Sequence, residues 1–100
     1  MFGTIGIVSL SQIRYFVAVA EEGHVGRAAK HLRVSQPPLT RSIKSLEEEL
    51  GASLFERTPR GMRLLPAGET FLAHARTILD AVDAAVRSVA LAPPTDPAHT

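Results

Sequence analysis

The chain has 100 residues, 45% of them hydrophobic, which is enough for one small domain with an attached element. It contains no cysteine, which excludes a disulfide framework and any thiolate metal site and suits a reducing cytoplasm. The formal net charge is only +1, so bulk charge points to no polyanionic partner.

Residues 1–8 are apolar but short, with no basic leader and no small-residue cleavage site, and read as a loose extension rather than a signal peptide. No run has the apolar length that a membrane span needs. A first helix is predicted from Ser9, which forms a capping box with Gln12, while Val8 and Ile13 sit where a hydrophobic staple would close. Leu10, Ile13, Phe16, Val17 and Ala20 follow the helical period, and Gly23 stands at a left-handed stop. A short second helix covers Val25 to Leu32, with Val25, Ala28, Ala29 and Leu32 on its apolar face. Arg33-Val34 is a tight connection, with Val34 turned toward the core. Ser35 is expected to cap a third helix that carries Pro37 and Pro38 in its first turn. Leu39, Ile43, Leu46 and Leu50 form its buried stripe, and Gly51 ends it. Leu54 to Arg57 and Met62 to Leu65 then flank a Pro/Gly turn and read as a small hairpin. Pro66 opens a last helix of about 24 residues, roughly 35 Å long, before Pro93-Pro94.

Charge is distributed unevenly along these elements. Residues 23–46 carry Arg27, Lys30, Arg33, Arg41 and Lys44 and no acid; residues 57–68 carry Arg57, Arg60 and Arg63 and no acid. Two basic islands on a near-neutral chain imply a localised anionic contact surface. Two short helices joined by a tight turn make a helix-turn-helix, and the outward face of the third helix decides its use. With the apolar stripe turned inward, Ser35, Gln36, Pro37, Thr40, Arg41 and Lys44 face outward, concentrated in the N-terminal half. The first N–H groups of that helix add an expected anion site. Gln can pair with adenine, Arg with guanine, and Thr with a base or a thymine methyl. Arg57, Arg60 and Arg63 around Gly61 make a basic wing suited to a narrow minor groove.

The last helix is too long for so small a core to cover. Phe71, Ala75, Ile78, Val82, Ala85 and Val89 recur at heptad spacing, widened by Leu72, Leu79 and Val86. This seam is expected to pair two copies, with Phe71 also packing on its own chain. Two-fold proteins read paired half-sites.

Together these residues resemble the N-terminal domain of LysR-type transcriptional regulators. The matching segments are Gln12 to Gly23, Ala28-Ala29, Val34 to Ile43, Leu46 to Gly51, Leu54 to Arg57 and Pro66 to Gly68. The resemblance implies a mainly α winged helix-turn-helix, three helices plus a β-hairpin wing, followed by a long dimerisation helix. It implies sequence-specific binding of interrupted palindromic promoter sites in double-stranded DNA. Residues aligned with the family's DNA contacts are Ser35, Gln36, Pro37, Pro38, Thr40 and Arg41, with Arg60 on the wing; Lys44 and Arg57 are added as phosphate neighbours by direct reading. The chain departs from the family's pattern at His24 and Gly26, where Ser or Thr is usual, so the second helix is expected to start less firmly. Leu65 replaces the usual Thr before Pro66, removing a cap worth roughly 1 kcal/mol.

The expected organisation is a loose extension (1–8), a winged DNA-binding domain (9–65), a linker helix (66–91) and a proline-rich tail (92–100). That tail resembles the start of a linker to the family's effector domain, and a small-molecule effector is expected only where such a domain follows. The expected location is cytoplasmic, on the bacterial nucleoid, with no membrane partner. No catalytic residue, cofactor or metal is expected. His24, His31, His74 and His99 lack a supporting ligand set, and no phosphate loop or nucleophile–base pair stands out. The rival reading is a winged helix that binds only protein, since the fold does not dictate DNA binding.

Overall fold

The protein, described here by a computed structural model, is laid out over residues 8–94. Most of the expected extension (1–7) and the tail from 95 onward, with His99, lie outside the described residues. The elements run α1 (Leu10–Glu22), α2 (Val25–Leu32), α3 (Gln36–Leu50), β1 (Phe55–Thr58), β2 (Gly61–Leu64) and α4 (Pro66–Leu91).

Helix α1 starts at the expected capping box. The Gln12 N–H donates to Ser9 Oγ at 3.2 Å, and the Ser9 N–H donates to Gln12 Oε1 at 2.8 Å. Val8 packs against the core that holds Ile13. Gly23 stops the helix at φ 69°, a left-handed conformation that costs glycine little.

Helix α2 begins more firmly than its sequence suggests. The His24 side chain is its cap, with Nδ1 accepting from the Gly26 N–H at 3.0 Å and the Arg27 N–H at 3.3 Å. A ring nitrogen thus does the work expected of a hydroxyl. The helix ends on Arg33 at φ 60°, a conformation that costs an L-residue about 1–2 kcal/mol. It is held there by the Val34 N–H donating to the Ala29 carbonyl at 3.0 Å.

Two expectations for α3 are corrected. The Ser35 side chain makes no cap hydrogen bond. A cap accepts from the second or third helical N–H, and those positions are Pro37 and Pro38, which have none. Leu50 does not complete the buried stripe. Leu39, Ile43 and Leu46 are buried, but Leu50 is 38% exposed and borders an apolar groove with Phe71 and His74.

The core closes around Phe16, which is fully covered. Its ring lies 5.3 Å from that of Phe55 and 5.1 Å from that of Phe71, the latter edge-on. One residue of α1 therefore joins the hairpin and α4. The hairpin is antiparallel, pairing Phe55 with Leu64 and Thr58 with Gly61. Gly68, in the first turn of α4, is buried; a Cβ there would stand 2.2 Å from the Leu54 carbonyl oxygen. Only glycine lets α4 lie this close to the start of the wing. Leu65, as expected, supplies no side-chain cap.

Helix α4 spans 26 residues, about 39 Å at the usual rise. Its expected seam divides. Ala75 is fully buried within its own chain and Phe71 stacks on Phe16, so both belong to the protein's own core. Leu72 and Leu79 also pack partly on that core. Ile78, at 37% exposure, borders the open region, Val82 is half-buried, and every described residue from 83 to 94 is exposed. The projecting helix gives the molecule a long axis of 60 Å against 35 and 22 Å. Among the described residues, no helix is long and apolar enough to cross a membrane.

Candidate nucleic-acid interface

The outer face of α3 is built by subtraction. Turning Leu39, Ile43 and Leu46 into the core leaves Gln36, Pro37, Pro38, Arg41 and Lys44 exposed and Thr40 half-buried at the edge of the stripe. Ser35 is exposed at the head of the helix, and its hydroxyl is not engaged in capping. The two prolines also correct the expected anion site. They remove two of the first three helical N–H groups, so this helix start offers side chains rather than backbone donors.

The wing is fixed to the helices at two places and closed at its own base by a further hydrogen bond. The Glu47 carboxylate accepts from the Leu54 N–H at 2.7 Å and the Phe55 N–H at 3.3 Å, tying the last turn of α3 to the first strand. The Met62 N–H donates to the Gly23 carbonyl at 3.0 Å, clipping the second strand to the end of α1. Gly61, at φ 135°, makes this approach possible, since a Cβ there would stand 2.3 Å from the Gly23 oxygen. The Leu65 N–H closes the base of the hairpin on the Leu54 carbonyl at 2.9 Å. Glu47 was not singled out by the sequence, where only the charge of the Glu47-Glu48-Glu49 run is visible.

Strand alternation sets what the wing presents. Arg57 shares a face with Phe55, opposite Met62, and turns toward the helices. It lines a cleft of about 250 Å³ with Thr40 and Lys44, and a neighbouring cleft of about 210 Å³ with Gln36. Gln36, Thr40, Lys44 and Arg57 thus form one continuous surface between α3 and the wing. Arg60 is exposed in the turn, where its N–H donates to Thr58 Oγ1 at 3.2 Å.

The basic islands are smaller than their residue lists imply. Arg63 faces Glu56 across the hairpin; its Nε donates to Glu56 Oε1 at 3.1 Å, and its Nη2 donates to the same oxygen. That hydrogen bond and the carboxylate charge raise the guanidinium above its ordinary value. Arg27 folds back on Glu22, donating to its carbonyl at 2.8 Å and pairing with its carboxylate at 3.7 Å. Among the described residues, Arg41, Lys44, Arg57 and Arg60 make no ion pair, and their charge stays available for a partner. No group of three or more residues able to hold a metal ion occurs among the described residues.

This arrangement has close counterparts. At 60% identity over 68 residues, the chain is similar to the HTH-type transcriptional regulator ClcR of Pseudomonas putida, a match covering 68% of this chain and 23% of that protein. The chain thus spans about a quarter of the length of ClcR and of other curated relatives that it matches. Its fold is similar to that in the crystal structure of a CbnR_DBD-DNA complex, with TM-score 0.77 and 49% identity over 85% of this chain and 99% of that one. It is also similar to the BenM_DBD/catB site 1 DNA complex, with TM-score 0.79 and 42% identity over 85% of this chain and 99% of that one. Residues 10–69 match the family described as bacterial regulatory helix-turn-helix protein, lysR family, and the chain belongs to that family.

Proposed function

We propose that this chain is the DNA-reading part of a transcriptional regulator, binding palindromic promoter sites as a homodimer. Residues 9–65 form the DNA-binding unit and 66–91 the linker helix. The observation that carries the reading is the exposed face of α3, where Gln36, Arg41 and Lys44 stand clear of the core with Arg57 beside them. That face has hydrogen-bonding groups at the end of the helix, the geometry that major-groove reading requires. The likeness to chains crystallised with DNA supports the same partner.

In this reading Gln36, Thr40 and Arg41 meet base edges. Ser35, Pro37 and Pro38 pack against the backbone and bases at the helix head, Lys44 and Arg57 neutralise phosphates, and Arg60 enters the adjacent minor groove. The dimer seam uses Ile78, Leu79, Val82, Ala85, Val86 and Val89. The chain performs no catalytic step and works in the cytoplasm, on the nucleoid. An effector acts through a further domain of the whole regulator.

Selection of bound duplexes from a random pool tests the proposal. A motif repeated with two-fold symmetry is expected. Log affinity should fall with log salt at a slope of about −0.9 per phosphate contacted. A pool without any enriched motif, with affinity indifferent to salt, would favour a winged helix that binds protein alone.

A further inference from the structure

The clefts beside α3 leave one question open: what holds Gln36 in place. Its own helix does not, because Pro37 and Pro38 remove the backbone donors nearest to it, and its side chain has no hydrogen bond among the described residues. The carboxamide lies against the first turn of α2 instead. A Cβ on Gly26 would stand 3.2 Å from Gln36 Nε2, and 2.9 Å from Cε1 and 3.1 Å from Nδ1 of His24. The His24 ring is fixed in turn by the two N–H groups it caps, and its Cδ2 reaches toward the wing turn, 3.7 Å from where a Cβ on Gly61 would be. His24, Gly26, Gln36, Arg57 and Gly61 border one small cleft.

We infer that Gly26 and His24 are positioning residues for base recognition: they form the bed on which the Gln36 carboxamide rests, and the missing side chain at 26 sets where that carboxamide points. Neither residue needs to touch the duplex. Gln has several rotatable bonds, so a surface Gln without support meets a base pair in many orientations and discriminates poorly. A side chain at 26 crowds the Gln36 carboxamide and pushes it outward by a few tenths of an ångström. Gln36 Nε2 is the end of a flexible side chain and yields readily, whereas the His24 ring, the nearer neighbour, carries the cap of α2 and yields only at the expense of that cap. The fold loses at most the cap, while the reading geometry is lost.

This inference rests on the DNA-reading function proposed above, and a double-mutant cycle separates the two. Gly26→Ala, Gln36→Ala and the double variant are tested against a duplex library randomised across the bound region, with thermal melting as the check on folding. Gln36→Ala alone is expected to lose preference at one base pair of each half-site. Gly26→Ala is expected to stay folded, melting no lower than a variant that lacks the His24 cap, and to weaken preference at that same base pair by about three- to tenfold, the coupling typical of touching residues. In the Gln36→Ala background it should change nothing further. His24→Ser keeps a cap but removes the ring; in that background Gly26→Ala should still blur the same base pair. An unchanged preference in Gly26→Ala, or the same added loss without Gln36, overturns the positioning role. If Gly26→Ala acts only when the imidazole is present, direct contact with Gln36 is overturned. If Gln36→Ala leaves every base pair's preference intact, base reading by Gln36 fails first and the positioning falls with it.

Discussion

The winged end of the molecule and the far half of α4 solve opposite problems with similar residues. At the winged end, Phe71 and Ala75 meet Phe16 and disappear into a shared core. About three to four turns further along the same helix, Val86 and Val89 are 64% and 75% exposed. A lone helix cannot bury such a stripe, and most helical stability in proteins comes from a packed face. The contrast teaches that stability resides at one end and unsatisfied apolar surface at the other, so substitutions should sort by location.

The largest expected effect is Phe71→Ala, which removes a ring from the cluster around Phe16. It should cost about 3 kcal/mol of unfolding free energy, whereas Val89→Ala in the monomer should stay within about 0.5 kcal/mol. Urea titration at low protein concentration checks both, and equal losses would abolish the contrast. Val82→Asp should next dissociate the dimer while leaving the winged unit folded. Sedimentation shows the first and near-parental melting the second; dimers that persist at micromolar concentration would overturn the seam. Gln36→Ala or Arg41→Ala should leave melting and association alone and lose roughly 1–3 kcal/mol of preference for the selected site. Uniform weakening on every duplex would assign them to the backbone instead. The smallest effect pairs two serines. Ser9→Ala should cost about 1 kcal/mol of stability through its lost capping box, while Ser35→Ala should cost almost none, because Ser35 has no N–H within reach to accept from. A stability loss at Ser35 matching that at Ser9 would mean that its hydroxyl caps the helix after all.

Much of this was readable in the sequence, and the misses have physical causes. The Ser9–Gln12 box and the stops at Gly23 and Gly51 are local and follow from spacing alone. Ser35 looks like Ser9 until Pro37 and Pro38 are counted as missing donors, a signal present in the sequence but outweighed by the habit of the residue type. The Glu56–Arg63 pair was also available, because the two residues are placed symmetrically about the Pro59-Arg60 turn. Heptad spacing could not separate Phe71 and Ala75 from Val86 and Val89, since a period says which side of a helix is apolar and not whose side chains cover it. Glu47 reaches the amides of Leu54 and Phe55 around a bend, and the His24 cap uses a residue seldom counted among helix starters. Neither leaves a short-range pattern to find.

The clip between the Gly23 carbonyl and the Met62 amide has a consequence for any duplex the chain engages. It welds the wing to the same rigid frame that carries α3, so the span from recognition helix to wing tip is a constant of the fold, like the gap of a calliper. A duplex that offers its two grooves at another separation must itself be bent or twisted to match. Part of the selectivity then comes from how readily a given stretch of DNA deforms, at base pairs that no side chain reaches.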